Sequence, residues 1–180
     1  MELITRRLTL RPLTQADWAD LAAILQDAQV MYAYEHPFSK EEVDQWLERQ
    51  LTRYEQEGVG LWAAVERESG RLIGQAGITW QDWGEQRVPE IGYLFHRAFW
   101  HQGYATEAAR AWRAYGFSTL GVPALYSIIR ENNTPSQRVA IRNGMSVVDR
   151  MVKHYYGMDM PHMVYRITRE EFERRVNYEP

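Results

Sequence analysis

Leu8 and Leu10 alternate with Thr9 and Arg11, the period of a half-buried strand, and Pro12 marks its expected end. Thr14-Gln15-Ala16-Asp17 then predicts the start of a helix that runs to Asp27. A second start, Ser39-Lys40-Glu41-Glu42, has the Ser-x-x-Glu form in which each side chain accepts from the other residue's amide. Val43, Trp46, Leu47, Leu51 and Tyr54 follow it at helical spacing. Strand-like runs at 60–66 and 71–80 flank the turn sequence Arg67-Glu68-Ser69-Gly70 and predict a hairpin, with a further strand over 88–96.

Ala105, Ala108, Ala109, Trp112, Tyr115 and Leu120 recur at helical spacing until Gly121-Val122-Pro123 stops them, and a strand is expected over 124–129. A helix between two strands makes those strands parallel neighbours. Thr134 is read as an N-cap, with Pro135 at the first helical position and Asn143-Gly144 at the end of the helix. Strands over 145–156 and 162–167 and a helix over 169–176 complete the chain. No repeat or linker divides it, so one α/β domain over residues 1–180 is expected.

Glu90-Ile91-Gly92-Tyr93-Leu94-Phe95 leads through Phe99-Trp100-His101-Gln102-Gly103 into the helical Tyr104-Ala105-Thr106-Glu107-Ala108. The first turn of a helix carries amides without intrahelical partners and a partial positive charge, and Gly103 lets an anion approach its backbone. The loop lacks the Gly-Lys-Ser/Thr ending of an NTPase and the three-glycine pattern of a dehydrogenase. A nucleoside-diphosphate derivative fits it better than either.

Composition narrows the field. Hydrophobic residues at 45% and charged residues at 25% match a globular chain, and a net charge of −3 with scattered arginines gives no nucleic-acid footprint. The absence of cysteine excludes disulfides, a thiol nucleophile and thiolate metal sites. His36, His101, His154 and His162 show no i, i+4 pairing, so no metal is expected. Met1-Glu2-Leu3-Ile4 passes at once into Thr5-Arg6-Arg7, and no apolar run is long enough for a signal or a membrane span, so a cytoplasmic protein without a membrane partner is expected.

The segment 99–108 resembles the pyrophosphate-binding motif of the GNAT superfamily of acetyl-CoA-dependent N-acetyltransferases. The ribosomal-protein N-terminal acetyltransferases (RimJ/RimL-like) are the most similar branch. They are matched at Thr5-Arg6-Arg7-Leu8-Thr9-Leu10-Arg11-Pro12-Leu13, at Glu90-Ile91-Gly92-Tyr93, at 100–108, at Asn133-Thr134-Pro135-Ser136 and at Asn143-Gly144-Met145. The family usually has Gln or Arg at the position of Trp100 and often Gly at that of His101, so contacts made by the backbone carry over better than those of side chains. The resemblance implies an α/β GNAT fold, one mixed sheet of about six to seven strands flanked by helices, with splayed central strands forming the acetyl-CoA cleft.

By the same resemblance, the amides of Gln102, Gly103, Tyr104, Ala105 and Thr106 hold the pyrophosphate, while Tyr93, Leu94 and Phe95 run beside the pantetheine arm. Leu94 N–H would polarise the thioester carbonyl, unless these amides are simply paired in the sheet. Glu90 would accept the amine proton through water, unless it is a solvated charge or an ion-pair partner. Asn133 would contact the arm and Ser136 would protonate the leaving thiolate, although both residues also suit plain helix capping. Ala140 stands where many other branches carry an acidic tyrosine.

For the acceptor, the segments 31–37 and 155–162 together with Trp80 supply Tyr34, Glu35, Trp80, Tyr155 and Asp159, where Glu35 or Asp159 would attract a cation. The alternative is that these aromatics cover the core or a homodimer contact. The implied activity is acetyl transfer to a primary amine, on a protein N-terminus or a small molecule, by direct attack. Two alternatives remain: an acyl-CoA-binding sensor or scaffold without catalysis, and a structural domain whose Trp100 loop packs against protein.

Overall fold

The computed structural model describes residues 1–178, with side chains through Val176; the one-domain expectation over 1–180 includes residues 179 and 180, which lie outside the described residues. Eight strands form one mixed sheet: β1 (Leu3–Ile4), β2 (Leu8–Pro12), β3 (Leu61–Glu66), β4 (Leu72–Trp83), β5 (Gln86–Phe95), β6 (Ala124–Arg130), β7 (Ser146–Tyr155) and β8 (Met158–Thr168). Their order is β1-β2-β3-β4-β5-β6-β8-β7. Only β5 and β6 run parallel, and helix α3 (Tyr104–Ser118) makes the crossover that parallel neighbours require.

Helices α1 (Trp18–Leu25) and α2 (Lys40–Glu57) cover one face of the sheet. Leu21, Ile24, Leu25, Val43 and Leu47 bury their side chains there against Ala63 and Leu72. On the other face α3, α4 (Thr134–Arg142) and α5 (Arg169–Tyr178) enclose Trp62, Ile78, Ile91, Trp112, Phe117, Leu125 and Ile167. The rings of Trp62 and Trp112 meet edge to face at 4.8 Å between centroids. Strand side chains alternate, so β4 residues from Gly74 to Gln81 are assigned to one of these faces by parity, while a bulge ahead of them leaves Leu72 on the α2 face and Ile73 on the other.

The capping box at α2 forms as its sequence predicts: Ser39 Oγ accepts from the Glu42 amide at 3.2 Å and Glu42 Oε2 accepts from the Ser39 amide at 2.9 Å. Other boundaries differ from the sequence reading. The sheet exceeds six to seven strands partly because two-residue β1 pairs with β2, too short to show a period. Pro12 ends β2 as expected, as its last residue; it pairs with Trp62 of β3 and lies beyond β1, where no ladder needs its missing N–H.

The hairpins run further than apolar content alone suggests. Trp83 lies opposite Gln86 across Gly84 (φ +59°), and Tyr155 opposite Met158 across Tyr156 (φ +50°) and Gly157 (φ +70°). Two central residues with positive φ match a type I′ turn, so β8 begins at Met158 and not at His162. The cap of α4 is Asn133, one residue before Thr134, since Asn133 Oδ1 accepts from the Ser136 amide at 3.3 Å.

Candidate active site

The site begins where β5 and β6 part. Their register pairs Glu90 with Tyr126 and goes no further. Side chains then replace the ladder: Ser127 Oγ donates to the Ile91 carbonyl at 2.8 Å, and the Ile128 amide donates to Glu90 Oε2 at 2.9 Å. Tyr93 and Ser136 bridge the widening gap, the phenol donating to the Ser136 carbonyl at 2.7 Å. A fork therefore opens toward the carboxyl end of β5, the end at which parallel crossover units place their ligands.

The orientation of the backbone in this fork follows from the β4–β5 ladder. The His96 amide donates to the Ile73 carbonyl at 2.8 Å, in the register that also pairs Gln75 with Leu94 and Gly77 with Gly92. Antiparallel pairs exchange hydrogen bonds at alternate positions, so Leu94 turns its N–H toward β4. Tyr93 and Phe95 turn theirs toward the fork. This corrects the expectation for Leu94: its amide is committed to the sheet, and the amide free to meet a ligand at this point belongs to Tyr93.

The loop after β5 closes the wide end of the fork. His101 (φ +61°) and Gly103 (φ +83°) are both left-handed, and among the described residues no acceptor is bonded to any amide from His101 through Thr106. Successive amides turned to one side in this way make an anion-binding nest, here continuous with the first turn of α3. The left-handed φ at residue 101 is the physical reason glycine suits that position. Trp100 is not turned to another protein; its indole N–H donates to the Phe95 carbonyl at 2.9 Å and its ring packs between both core clusters.

Arg7, on the segment before β2, fastens this loop. Its guanidinium donates to the Gln102 carbonyl at 2.8 Å and to Glu107 Oε2 at 2.7 Å, while its backbone amide donates to Glu107 Oε1 at 2.7 Å. The guanidinium also lies over the Tyr104 ring, 4.1 Å from the centroid. Glu107, the acid in the first turn of α3, is thereby turned to Arg7, away from the nest. In the sequence Arg7 stands only within the motif at 5–13, and nothing local marks the loop it fastens.

On the α2 face the fork continues into a cavity of about 400 Å³ lined by Tyr34, Trp46, Glu90, Tyr93, Leu94, Asn133, Ser136 and Tyr155 among others. Glu90 lines it at the vertex of the fork. Burial pushes its carboxyl above the usual carboxylate range, against the smaller opposing pull of Lys153, the Ile128 amide and Arg53. Oε2 holds the Ile128 amide, and Oε1 has no hydrogen-bond partner among the described residues. Tyr34 is 40% exposed as a residue, yet burial raises its phenol, with the Glu90 charge adding to the effect, so its hydroxyl end lies inside.

The expected acceptor residues divide. Tyr34 and Tyr155 line the cavity; Glu35 does not, and is held by Arg130 at the wall. Asp159 points away and pairs with His154 at 2.5 Å on the exposed β7–β8 hairpin. Trp80 is corrected as well: its neighbours Thr79 and Gln81 face the cavity, whereas Trp80 packs on the opposite core with Ile78. Phe95 is buried in that core too, beside Tyr104. Asn133 Oδ1 is occupied by the Ser136 amide and by the Tyr32 hydroxyl at 2.8 Å, and Ala140 is buried in the core. The Ser136 hydroxyl has no hydrogen-bond partner among the described residues.

Residues 7–146 match the acetyltransferase (GNAT) domain family, and the chain belongs to it: it is an acyltransferase enzyme with the α/β GNAT fold. Among relatives, the uncharacterized protein YkkB of Bacillus subtilis is 37% identical over 145 residues, covering 80% of this chain and 84% of that one. An acetyltransferase from Agrobacterium tumefaciens is 30% identical with a TM-score of 0.79, covering 94% of this chain and 95% of its own. The ribosomal-protein alpha-N acetyltransferase RimL, solved in complex with coenzyme A, has a TM-score of 0.77 at 14% identity, covering 93% of this chain and 98% of its own, a likeness of fold. No helix among the described residues is long and apolar enough to cross a membrane.

Proposed function

We propose that this enzyme moves an acetyl group from acetyl-CoA to a primary amine by direct attack within the β5–β6 fork. The observation that carries the reading is the fork itself: a buried carboxylate at its vertex, an amide nest at its open end and a cavity beyond. The nest suits the pyrophosphate. The pantetheine arm fits along Tyr93, whose N–H takes the polarising task first expected of Leu94.

The amine nitrogen attacks the thioester carbon, its proton passes to Glu90 directly or through one water, and the C–S bond breaks as the tetrahedral intermediate collapses. Burial, by raising the affinity of this carboxyl for a proton, suits it to accept one. Ser136, with its unpartnered hydroxyl at the cavity wall, donates a hydrogen bond to the sulfur as it departs, and the thiolate takes its proton from solvent. Arg7 acts at one remove as a positioning residue for the nest. The resemblance to the ribosomal-protein branch supports an amine acceptor without choosing between a protein N-terminus and a small molecule.

Gly103→Trp tests the nest. The substitution must place a side chain at φ +83° beside the unpartnered amides, where L residues are strained. Calorimetric titration with acetyl-CoA is expected to show affinity reduced by about tenfold or more, with the melting transition still cooperative. Affinity equal to the wild type would remove the nest from the account.

A further inference from the structure

The cavity wall on the α2 side is cationic in a way that the transfer step does not require. Trp46, Arg49 and Arg53 share one face of α2 at i, i+3 and i+7, and all three line the cavity, as does Lys153 from β7. Neither Arg49 nor Lys153 makes a hydrogen bond or ion pair among the described residues; Lys153 approaches the Tyr155 ring, 5.9 Å from its centroid, and acts on Glu90 through its field alone. Arg53 has one long bond, 3.5 Å to Gln50 Oε1; its neighbour Glu57 is already paired with Arg87.

The opposing acids are fewer. Glu42 is engaged by His36 and the Ser39 amide, and Glu90 is the buried carboxyl at the fork. The remaining wall cation, Arg130, is balanced by Glu35. Arg49, Arg53 and Lys153 thus outnumber Glu90, the acid that Arg53 and Lys153 face, in a cavity whose proposed guest is an amine, itself a cation in water. A polycation would be repelled from such a wall, since like charges in a partly enclosed space disfavour one another.

We propose that the acceptor is a small amine bearing its own anionic group, a carboxylate or phosphate held by Arg53, Lys153 and Arg49, an inference that rests on the transfer reading above. The same cations disfavour the ammonium form of the bound amine and so help deliver it as the neutral nucleophile. This anion is distinct from those of the carrier. Arg53 lies beside Gly60 ahead of β3 and lines the cavity, whereas the nest follows the end of β5 and none of its residues is in that lining.

The test is equilibrium binding of matched pairs to the full chain in the presence of coenzyme A. The pairs are N-acetylglycine against its amide, N-acetylmethionine against its amide, and N-acetylethanolamine phosphate against N-acetylethanolamine, so that the acid arms separate carboxylate from phosphate. The charged member of at least one pair is expected to bind about tenfold tighter or more. Arg53→Gln and Lys153→Gln, each checked for an unchanged melting transition, should shrink that preference to about threefold or less while leaving acetyl-CoA affinity unchanged.

Equal binding within every pair, no binding by any member, or a preference that survives both substitutions overturns the subsite. Turnover is read separately. Acetylation of spermidine or of amino-acid amides as fast as of the free amino acids keeps the transferase and removes the subsite; selective binding of acids with no amine acetylated keeps the subsite and removes the transfer reading.

Discussion

Glu90→Gln is expected to lower kcat/KM by about 100-fold or more, within the range that loss of a general base costs, and at the same time to make the protein more stable at neutral pH. The two effects have one cause. Burial lifts the Glu90 carboxyl above its unfolded value, so the folded state binds that proton more tightly than the unfolded chain does. The associated stability is fully present below the unfolded pKa and is lost as pH rises through the folded one.

At neutral pH the ionised carboxylate therefore costs stability, about 1.4 kcal/mol for each unit of elevation. Glutamine keeps an acceptor for the Ile128 amide and carries no charge to bury. Thermal melts of the variant should lie about 2–4 °C above wild type near pH 7 for each kcal/mol relieved, with the difference closing toward pH 4. The pH profile of kcat/KM in the wild type should have an acid limb above the ordinary carboxylate range, and the variant should lack it. A variant that is both active and unchanged in stability would leave Glu90 as nothing more than a partner for one amide.

Gly77→Ala should have the largest effect on folding. An added Cβ would sit 1.9 Å from the Gly60 carbonyl oxygen and 2.8 Å from the Leu61 Cα, both backbone atoms in the path of the β3–β4 pair. No rotamer can relieve that clash, so the strands must separate. A loss of about 3 kcal/mol or more is expected, at or beyond the upper end of ordinary overpacking, seen as a lower melting temperature or as failure to accumulate folded protein. Gly92, directly opposite Gly77 in the register, gives the contrast: its Cβ would meet only Leu61 Cδ2, at 3.5 Å. Gly92→Ala should cost about 1 kcal/mol or less in stability.

Much of this geometry was legible in the sequence because local chemistry dictates it. The Ser39–Glu42 box needs nothing beyond its own four residues, and the loop ahead of α3 announces itself by a glycine between a buried strand and an amphipathic helix. The misreadings at Leu94 and Trp80 involve partners distant in sequence. Whether Leu94 or Tyr93 offers its amide to the fork depends on hydrogen-bond parity with β4, set by the His96–Ile73 pair and invisible in the run Tyr93-Leu94-Phe95. Trp80 is an aromatic in the right strand on the wrong face, a one-residue matter of parity.

The type I′ turn at Tyr156-Gly157 escaped because tyrosine is an uncommon first residue for it. The cationic wall escaped for a different reason. Arg49 and Arg53 sit on a helix whose average residue is polar, where a charge run ordinarily means a solvated face. Their spacing from Trp46 was the signal, since a tryptophan and two arginines on one helical stripe place charge beside a bulky aromatic.

The most direct test of the account follows acetyl-CoA with purified protein and a panel of primary amines, reading free thiol release together with the mass of each amine. Wild-type enzyme should release one coenzyme A for each amine acetylated, and Glu90→Gln should retain acetyl-CoA binding while losing most of that turnover. Acetyl-CoA bound but left intact with every amine, or turnover undiminished in the Glu90 variant, would contradict it.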